Sequence, residues 1–90
     1  MATQISYSRT FRRNFEKRIK LQESLKKRFE ARVKQFIRNP HHPLLRDHAL
    51  TGAKKILRAF SITGDIRIIY YREITGEIVF LDIGTHNQVY

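Results

Sequence analysis

The first forty residues change from the hydrophobic spacing of a strand to that of a helix. Ile5 and Tyr7 alternate with polar residues and fall on one side of an extended segment, which predicts a short first strand. Ser8 follows directly, and a serine hydroxyl at such a position is typical of a helix N-cap. We therefore expect the first helix to begin immediately after the first strand.

Two amphipathic helices are predicted in succession. In the first, Phe11, Phe15 and Ile19 recur every four residues and so share one helix face. The second is predicted from about Glu23 to Arg38, and it ends because the two prolines of "NPHHP" resist helix continuation. We expect the two helices to form an antiparallel pair. The hydrophobic stripe of the second helix consists of Leu25, Phe29, Val33 and either Phe36 or Ile37.

Strand periodicity returns in the second half of the chain. Three β-branched and aromatic runs, "ILRAFSIT", "DIRIIYYRE" and "EIVFLDIG", are separated by glycine-containing turns, which predicts an antiparallel meander. The stretch "LLRDHALTGAKK" before them is interpreted as a connection with a stop at Gly52. The predicted fold is one α+β domain, residues 1–90, in the order β-α-α-β-β-β, with an antiparallel sheet packed against the N-terminal helical hairpin.

Positive charge is concentrated in the predicted helices. The chain has 18 Lys and Arg against 8 Asp and Glu, a formal net charge of +10. Residues 1–40 contain twelve of these bases and only three of the acids. Such an excess repels itself unless a polyanion is a regular partner. We therefore expect nucleic acid, a ribonucleoprotein or an acidic protein as partner, and no membrane.

The composition argues against several classes of protein. There is no cysteine, which excludes disulfides and thiolate metal sites. No signal-peptide stretch and no run of about 18 apolar residues is present, so we expect a cytoplasmic protein. The histidines lack the spacing of a zinc motif, and no phosphate loop, dinucleotide fingerprint or serine elbow occurs. We expect neither a metal nor a cofactor.

Several side chains could carry out proton transfer. His41 and His42 lie in a proline-flanked loop and are expected to be exposed. His48 and His86 fall in connections close to the sheet, where function is common, and an imidazole can accept and donate a proton near neutral pH. Asp65 begins the middle strand of the meander after a glycine turn, as either a turn residue or a carboxylate base.

Two arginines, Arg58 and Arg67, fall inside strands among apolar neighbours. We expect them to point to a polar face, where the fork of a guanidinium suits phosphate. Histidine, aspartate and arginine are the groups that RNA cleavage without a metal requires. A base takes the 2′-OH proton, cations stabilise the charge at phosphorus, and an acid protonates the leaving 5′ oxygen. Composition and spacing alone do not assign these roles.

The stretches "RDHALTG", "LRAFSITGDIRIIYY" and "FLDIGTHNQVY" resemble the RelE/ParE toxin superfamily, most closely its YafQ-like branch of bacterial toxin-antitoxin systems. The resemblance extends over nearly the whole chain. It implies an mRNA interferase, an endoribonuclease that binds in the ribosomal A site and cuts mRNA there. It also implies a cognate antitoxin, with which an otherwise monomeric toxin forms a hetero-oligomer.

By position, the resemblance assigns catalysis to His48, Asp65 and His86, and an orienting or base-stacking role to Tyr90. His86 is the expected general acid. Either His48 or Asp65 could be the general base. Asp65 is preferred because the edge of a strand should be more rigid than a loop.

The resemblance also bears on the arginines. Arg67 falls where the wider RelE group contacts phosphate, and Arg58 lies near a basic strand residue of that group. Two positions depart from the YafQ-like pattern. The branch has a further histidine in the region of Ser61 and Thr63, and it has an arginine where this chain has Asp82.

Two other functions remain open. One is a ParE-like inhibitor of DNA gyrase, which needs no acid-base pair, and the other is a basic RNA-binding module without activity. Lys26, Lys27 and Arg28 are predicted to bind rRNA phosphates and an acidic antitoxin segment. The joint presence of His48, Asp65 and His86 argues against the gyrase inhibitor, whereas the two departures from the YafQ-like pattern leave the inactive RNA-binding module open.

Overall fold

The computed structural model describes residues 4–52 and 56–90, so part of the predicted connection, residues 53–55, lies outside it. The predicted α+β class and the bounds of the second helix are confirmed. No helix within these ranges is both long and apolar enough to cross a bilayer. The elements are β1 (Ile5–Tyr7), α1 (Arg9–Arg18), α2 (Glu23–Arg38), a 3₁₀ turn (Pro43–Leu45), β2 (His48–Ala49), β3 (Arg58–Ser61), β4 (Ile66–Arg72), β5 (Ile78–Thr85) and α3 (His86–Val89).

The sheet has five strands in the order β1-β5-β4-β3-β2. Strands β3, β4 and β5 form the antiparallel meander that the sequence predicted. β1 differs from the prediction of an antiparallel sheet, because it pairs in parallel with β5 and places Ile5 opposite Ile78. The two long helices follow β1 in the chain, so β1 is joined to the meander by a crossover and not by a hairpin.

Two short elements were not predicted. β2 consists of His48 and Ala49, which pair with Ala59 and Arg58 of β3. α3 has only four residues, His86–Val89. Neither element is long enough for a hydrophobic period to be recognised in the sequence. β2 matters for function because it removes His48 from the loop in which the sequence placed it.

Ser8 joins the start of α1 to the sheet. Its hydroxyl oxygen accepts a hydrogen bond from the Phe11 amide at 3.0 Å, so the predicted N-cap is confirmed. The same hydroxyl donates to the carbonyl of Leu81 at 2.9 Å, and the Ser8 amide donates to the Phe80 carbonyl at 3.0 Å. α1 is thereby fixed along the edge of β5 beyond the end of β1.

Both long helices cover the same face of the sheet with aromatic residues. Phe36 of α2 is buried and stacks on Phe60 of β3, with 4.5 Å between ring centroids. Phe11 of α1 lies 5.5 Å from Phe80 of β5, again between centroids. Ile37 is 41% exposed, so Phe36 is the residue that completes the α2 stripe. This face is called the helix-covered face below.

The opposite face carries His48, Arg67 and Asp82 and is called the polar face. Residues paired directly across neighbouring strands point to the same side of a sheet. The successive pairings from β2 through β3 and β4 to β5 therefore place two rows of residues on this face. They are His48, Ala59, Ile69 and Asp82, and beside them Ser61, Arg67 and Gly84.

Asp82 and Gly84 are the points at which α1 and α3 meet this face. Asp82 accepts a hydrogen bond from Asn14 Nδ2 at 2.6 Å and lies 3.6 Å from Arg18 Nη1. At Gly84, an added Cβ would lie 2.6 Å from Arg18 Nη1 and 2.6 Å from Gln88 Oε1. The carboxylate at position 82 therefore binds α1 to β5, and the glycine leaves room for the side chains of both helices.

Candidate active site

The last residues of the chain fold back on the sheet. α3 begins at His86, and the amide of Thr85 donates to Gln88 Oε1 at 2.8 Å. The amide of Tyr90 donates to the His86 carbonyl at 3.0 Å. As a result the rings of His86 and Tyr90 meet edge to face, with 4.3 Å between their centroids. Both side chains are thus held in place at the chain end, where fraying is the usual behaviour.

Four of the predicted site residues form one connected group. Arg67 Nη1 lies 3.2 Å from His86 Nδ1, and its Cζ lies 5.9 Å from the centre of the Tyr90 ring. The Tyr90 hydroxyl lies 3.3 Å from His48 Nε2. Side chains from β2, β4 and α3 therefore meet on the polar face. We call His48, Arg67, His86 and Tyr90 the histidine cluster.

The two histidines have opposite hydrogen-bond roles. A guanidinium only donates, so His86 Nδ1 accepts from Arg67, and in the neutral ring the proton is on Nε2. A carbonyl only accepts, so His48 Nδ1, 2.9 Å from the Arg46 carbonyl, carries the proton of that ring. His48 Nε2 is then a proton acceptor, whereas His86 Nε2 is a donor.

Tyr90 completes the contact with His48. Burial raises the pKa of Tyr90 above its ordinary value, and the neighbouring charge of Arg67 opposes only part of this rise. The phenol therefore keeps its proton at neutral pH. It donates that proton to His48 Nε2, the nitrogen that is free to accept.

Two concavities meet at His86. The first, of about 510 Å³, is lined by Gly64, Asp65, Arg67, Thr85, His86 and Asn87. The second, of about 370 Å³, is lined by residues that include His48 and Tyr90 and again His86. The structure thus brings Asp65 to one side of His86 and His48 to the other. Within the described residues, no group of three His, Asp or Glu side chains is arranged to hold a metal ion.

The structure differs from the expectation that His48 lies in a loop and Asp65 at the edge of a strand, because both residues lie in or directly beside strands. Asp65 is exposed and lies in a turn, one residue before β4, where its amide donates to Thr63 Oγ1 at 3.1 Å. His48 belongs to β2, pairs with Ala59 and has a hydrogen-bond partner at each ring nitrogen. The two-residue strand β2, which the sequence did not predict, therefore gives His48 a strand pairing.

Arg58 does not join the histidine cluster. Its Nη2 and Nε lie 2.9 Å and 3.2 Å from Asp47 Oδ2, and the Tyr70 hydroxyl donates to Asp47 Oδ1 at 2.5 Å. The Asp47 side chain is only 5% exposed. Its hydrogen bond raises the pKa of Arg58 above the ordinary value, although desolvation opposes the rise. We call Asp47, Arg58 and Tyr70 the anchor cluster.

Asp47 was not among the predicted site residues, although it stands within "RDHALTG". The signal was its place directly before His48, because adjacent residues of an extended segment point to opposite faces. Arg58 carried a signal too, since it is two residues from Phe60 and so shares the helix-covered face. Arg58 was expected to bind phosphate, but its guanidinium donates to the carboxylate of Asp47.

The predicted binding residues of α2 do not line the two concavities at the histidine cluster. Lys27 and Arg28 are exposed, and Lys26 is half-buried. Arg28 borders two further concavities, one of which it shares with Arg32 and Arg46. The ion pairs among the described residues involve Arg18, Lys20 and Arg58. Within that part of the chain, Lys26, Lys27 and Arg28 therefore have no acidic partner.

Solved structures with the same fold include bacterial toxins. A copper-bound mutant toxin from Helicobacter pylori is 24% identical, with a TM-score of 0.77 and full coverage of both chains. YafQ from E. coli strain BL21(DE3) is 22% identical, with a TM-score of 0.75 and 98% coverage of each chain. The YoeB/ParE toxin from Agrobacterium tumefaciens is 13% identical, with a TM-score of 0.77, covering 93% of this chain and 99% of that one. These likenesses show the fold, which is that of the RelE/ParE toxins.

The family follows from the sequence itself. A family model described as a bacterial toxin of type II toxin-antitoxin system, YafQ, matches residues 3–90. The chain therefore belongs to the YafQ family of type II toxins, as its resemblance to that branch had implied. A search of curated proteins gave no match.

Proposed function

We propose that this toxin is a ribosome-dependent endoribonuclease that cleaves mRNA by attack of a ribose 2′-OH, without a metal ion. The observation that carries the proposal is the pair of opposite hydrogen-bond roles at His48 and His86, joined through Tyr90 beside the cation of Arg67. A proton acceptor, a proton donor and a phosphate ligand on one face are the parts that this reaction needs.

The base in this proposal is His48. Its Nε2 removes the 2′-OH proton, and the resulting oxygen attacks the adjacent phosphorus. In the free toxin the Tyr90 hydroxyl occupies the acceptor side of that nitrogen, 3.3 Å away. The substrate hydroxyl replaces it, and the Tyr90 ring is then available to stack on a base. Asp65, preferred from the sequence, takes a supporting place on the other side of His86.

The acid is His86, and Arg67 prepares it. A phosphate gives the Arg67 guanidinium a charged acceptor, which forms a stronger hydrogen bond than a neutral ring nitrogen does. His86 Nδ1 is then released to take a proton, and the negative charge of the phosphate stabilises the imidazolium. Proton transfer from Nε2 to the leaving 5′ oxygen completes the cut. The products are a 2′,3′-cyclic phosphate and a 5′-hydroxyl.

The basic surface of α2 supplies affinity for the ribosome in this proposal. Lys26, Lys27 and Arg28 contact rRNA phosphates, so association weakens as salt rises. The related E. coli toxin forms a DinJ-YafQ toxin-antitoxin complex. By the same logic, a cognate antitoxin with an acidic segment binds this toxin, forms a hetero-oligomer with it and covers the cationic surface.

Primer extension on a defined mRNA tests the function. In a purified translation system, the wild-type toxin should give discrete cuts within A-site codons, and none when ribosomes are left out. Intact mRNA in both reactions would reject the proposal. A parallel supercoiling assay with DNA gyrase distinguishes the ParE-like alternative, since inhibition of gyrase together with intact mRNA would favour that function.

A further inference from the structure

The anchor cluster compensates a carboxylate that is almost fully removed from water. Burying a charge is unfavourable unless it is paired and hydrogen-bonded. Asp47 receives two guanidinium nitrogens of Arg58 on Oδ2 and the Tyr70 hydroxyl on Oδ1. Tyr70 is 1% exposed and packs edge to face on Phe36 of α2, with 5.0 Å between centroids. Asp47 is thereby tied to the core of the protein.

The residue before Asp47 has an unusual backbone. Arg46 has φ of 50° and ψ of 40°, a left-handed conformation that residues with side chains rarely adopt. Leu45 on its N-terminal side is fully buried, and Asp47 on its C-terminal side is held by the anchor cluster. Arg46 is thus fixed between two anchored neighbours. Its carbonyl points at His48 Nδ1, 2.9 Å away.

We propose that Asp47 is a positioning residue for His48. Held by Tyr70 and Arg58, it keeps the Arg46 carbonyl against His48 Nδ1. The proton of the neutral ring therefore stays on Nδ1, and Nε2 remains the acceptor. The consequence for catalysis rests on the proposed function. The position of the proton on Nδ1 of His48 does not rest on the proposed function, because it is a property of the free toxin.

The proposal gives Arg58 and Tyr70 a definite task. They act on His48 through Asp47, and neither of them contacts substrate. Tyr70→Phe removes one hydroxyl and keeps the ring in the core, so the fold is retained. Asp47→Asn removes the charge and places an amide against the Arg58 guanidinium. Either change should loosen the segment from Arg46 to His48.

The test is ¹⁵N-¹H NMR of the free toxin labelled at histidine. In the wild type, the neutral His48 ring should show its proton on Nδ1. In Tyr70→Phe and in Asp47→Asn, the share of that tautomer should fall at least about twofold. Asp82→Asn is the matched control, because it removes a carboxylate that binds Asn14 and Arg18 at the other edge of the face. Its His48 signals should match those of the wild type.

Cleavage is the second measurement. The single-turnover rate on programmed ribosomes at saturating toxin should fall about tenfold to a hundredfold in Tyr70→Phe, because the base is misplaced. The toxin concentration that gives half the maximal rate should stay the same. An unchanged His48 tautomer in Tyr70→Phe would overturn the proposal, even if Asp47→Asn fails to fold. A wild type with the predicted tautomers but no cleavage would instead reject the proposed function alone.

Discussion

The two faces of the sheet each carry a cluster that contains one arginine and one tyrosine, and the clusters differ in charge and distance. In the anchor cluster an aspartate neutralises the arginine, and the shortest contacts to its carboxylate are 2.5 Å and 2.9 Å. In the histidine cluster the polar contacts are 3.2 Å and 3.3 Å. Among the described residues, Arg67 has no acidic partner.

The difference shows how one sheet can be rigid on one side and reactive on the other. β4 supplies both clusters, Tyr70 to the helix-covered face and Arg67 to the polar face. A neutralised, buried carboxylate holds its partners in one arrangement. Arg67, which faces a ring nitrogen and the Tyr90 ring, forms a stronger hydrogen bond when a phosphate arrives. Substitutions in the histidine cluster should therefore mainly lower the cleavage rate. Substitutions in the anchor cluster should change the placement of His48 and the stability of the fold.

The largest effect is expected for His86→Ala. Loss of the general acid should slow cleavage about 10²-fold to 10⁴-fold. The side chain is exposed, so the free energy of unfolding should change by less than about 0.5 kcal/mol. Single-turnover cleavage and urea unfolding measure the two quantities. His41→Ala, an exposed histidine before the 3₁₀ turn, is the control and should cleave like the wild type. Equal rates for the two variants would remove His86 from the chemistry.

Gly84→Ala tests the close contact of β5 with Arg18 of α1 and Gln88 of α3. The new methyl group meets the ends of two flexible side chains, Arg18 and Gln88, and also Gln88 Cβ at 3.1 Å. Stability should fall by about 1 to 2 kcal/mol as these side chains shift. Gln88 accepts from the Thr85 amide at the start of α3, so His86 moves with it and cleavage should fall about tenfold.

Gly64→Ala is the control for stability in that experiment. An added Cβ there has no neighbour within 4 Å, and its unfolding free energy should stay close to that of the wild type. A Gly84→Ala variant as stable and as active as the wild type would show that α3 does not depend on this close contact.

Alkaline pH should weaken the anchor cluster. Burial, supported by the hydrogen bond to Asp47, raises the pKa of Tyr70 well above its ordinary value. Above about pH 10 the tyrosine loses its proton in the unfolded chain before the folded protein does. The folded state then holds more protons, so stability falls as pH rises, by at most about 1.4 kcal/mol per pH unit from this group.

Urea unfolding at pH 8 to 11 measures this slope. Tyr70→Phe should show a shallower decline than the wild type. Tyr71→Phe, on the other side of the strand, should decline as the wild type does. Identical slopes in all three proteins would contradict the burial of the Tyr70 hydroxyl against Asp47.

The smallest effect concerns the surface of α2. Replacing Lys26, Lys27 and Arg28 by alanine should weaken ribosome binding and lower the slope of log affinity against log salt by up to about 2. Arg72→Ala, at the end of β4, is a single-charge control that should leave the slope close to that of the wild type. An unchanged slope in the triple variant would reject α2 as an rRNA contact.

Most of the predicted elements have a long hydrophobic period that records burial, whereas β1, with three residues, was predicted from the alternation of Ile5 and Tyr7. Phe11 and Phe15 identified α1, and the alternation around Phe60 and Phe80 identified two strands of the meander. β2 and α3 contain two and four residues, too few for a period. They form because β3 pairs with one and because the other folds back on β4 and β5.

The candidate site was predictable only in part, because contacts between residues distant in the chain leave no local pattern in the sequence. Residue types and resemblance selected His48, Arg67, His86 and Tyr90, and the structure brings them together. Arg58 lies two residues before Phe60 in β3, and alternate residues of a strand point to the same face of the sheet. The side chain of Arg58 therefore points to the helix-covered face. The partner of Asp47, Tyr70, lies 23 positions away in the chain, and no local pattern indicates such a contact.

The most direct test of the account is an mRNA with a single 2′-deoxynucleotide directly before a mapped cut. The change leaves base pairing and the phosphate intact and removes only the proposed nucleophile. Cleavage of the all-ribose control together with complete loss of cleavage at the deoxy position is the predicted result. Continued cleavage at that position would mean that water or another nucleophile attacks the phosphate, and would contradict the roles given to His48 and His86.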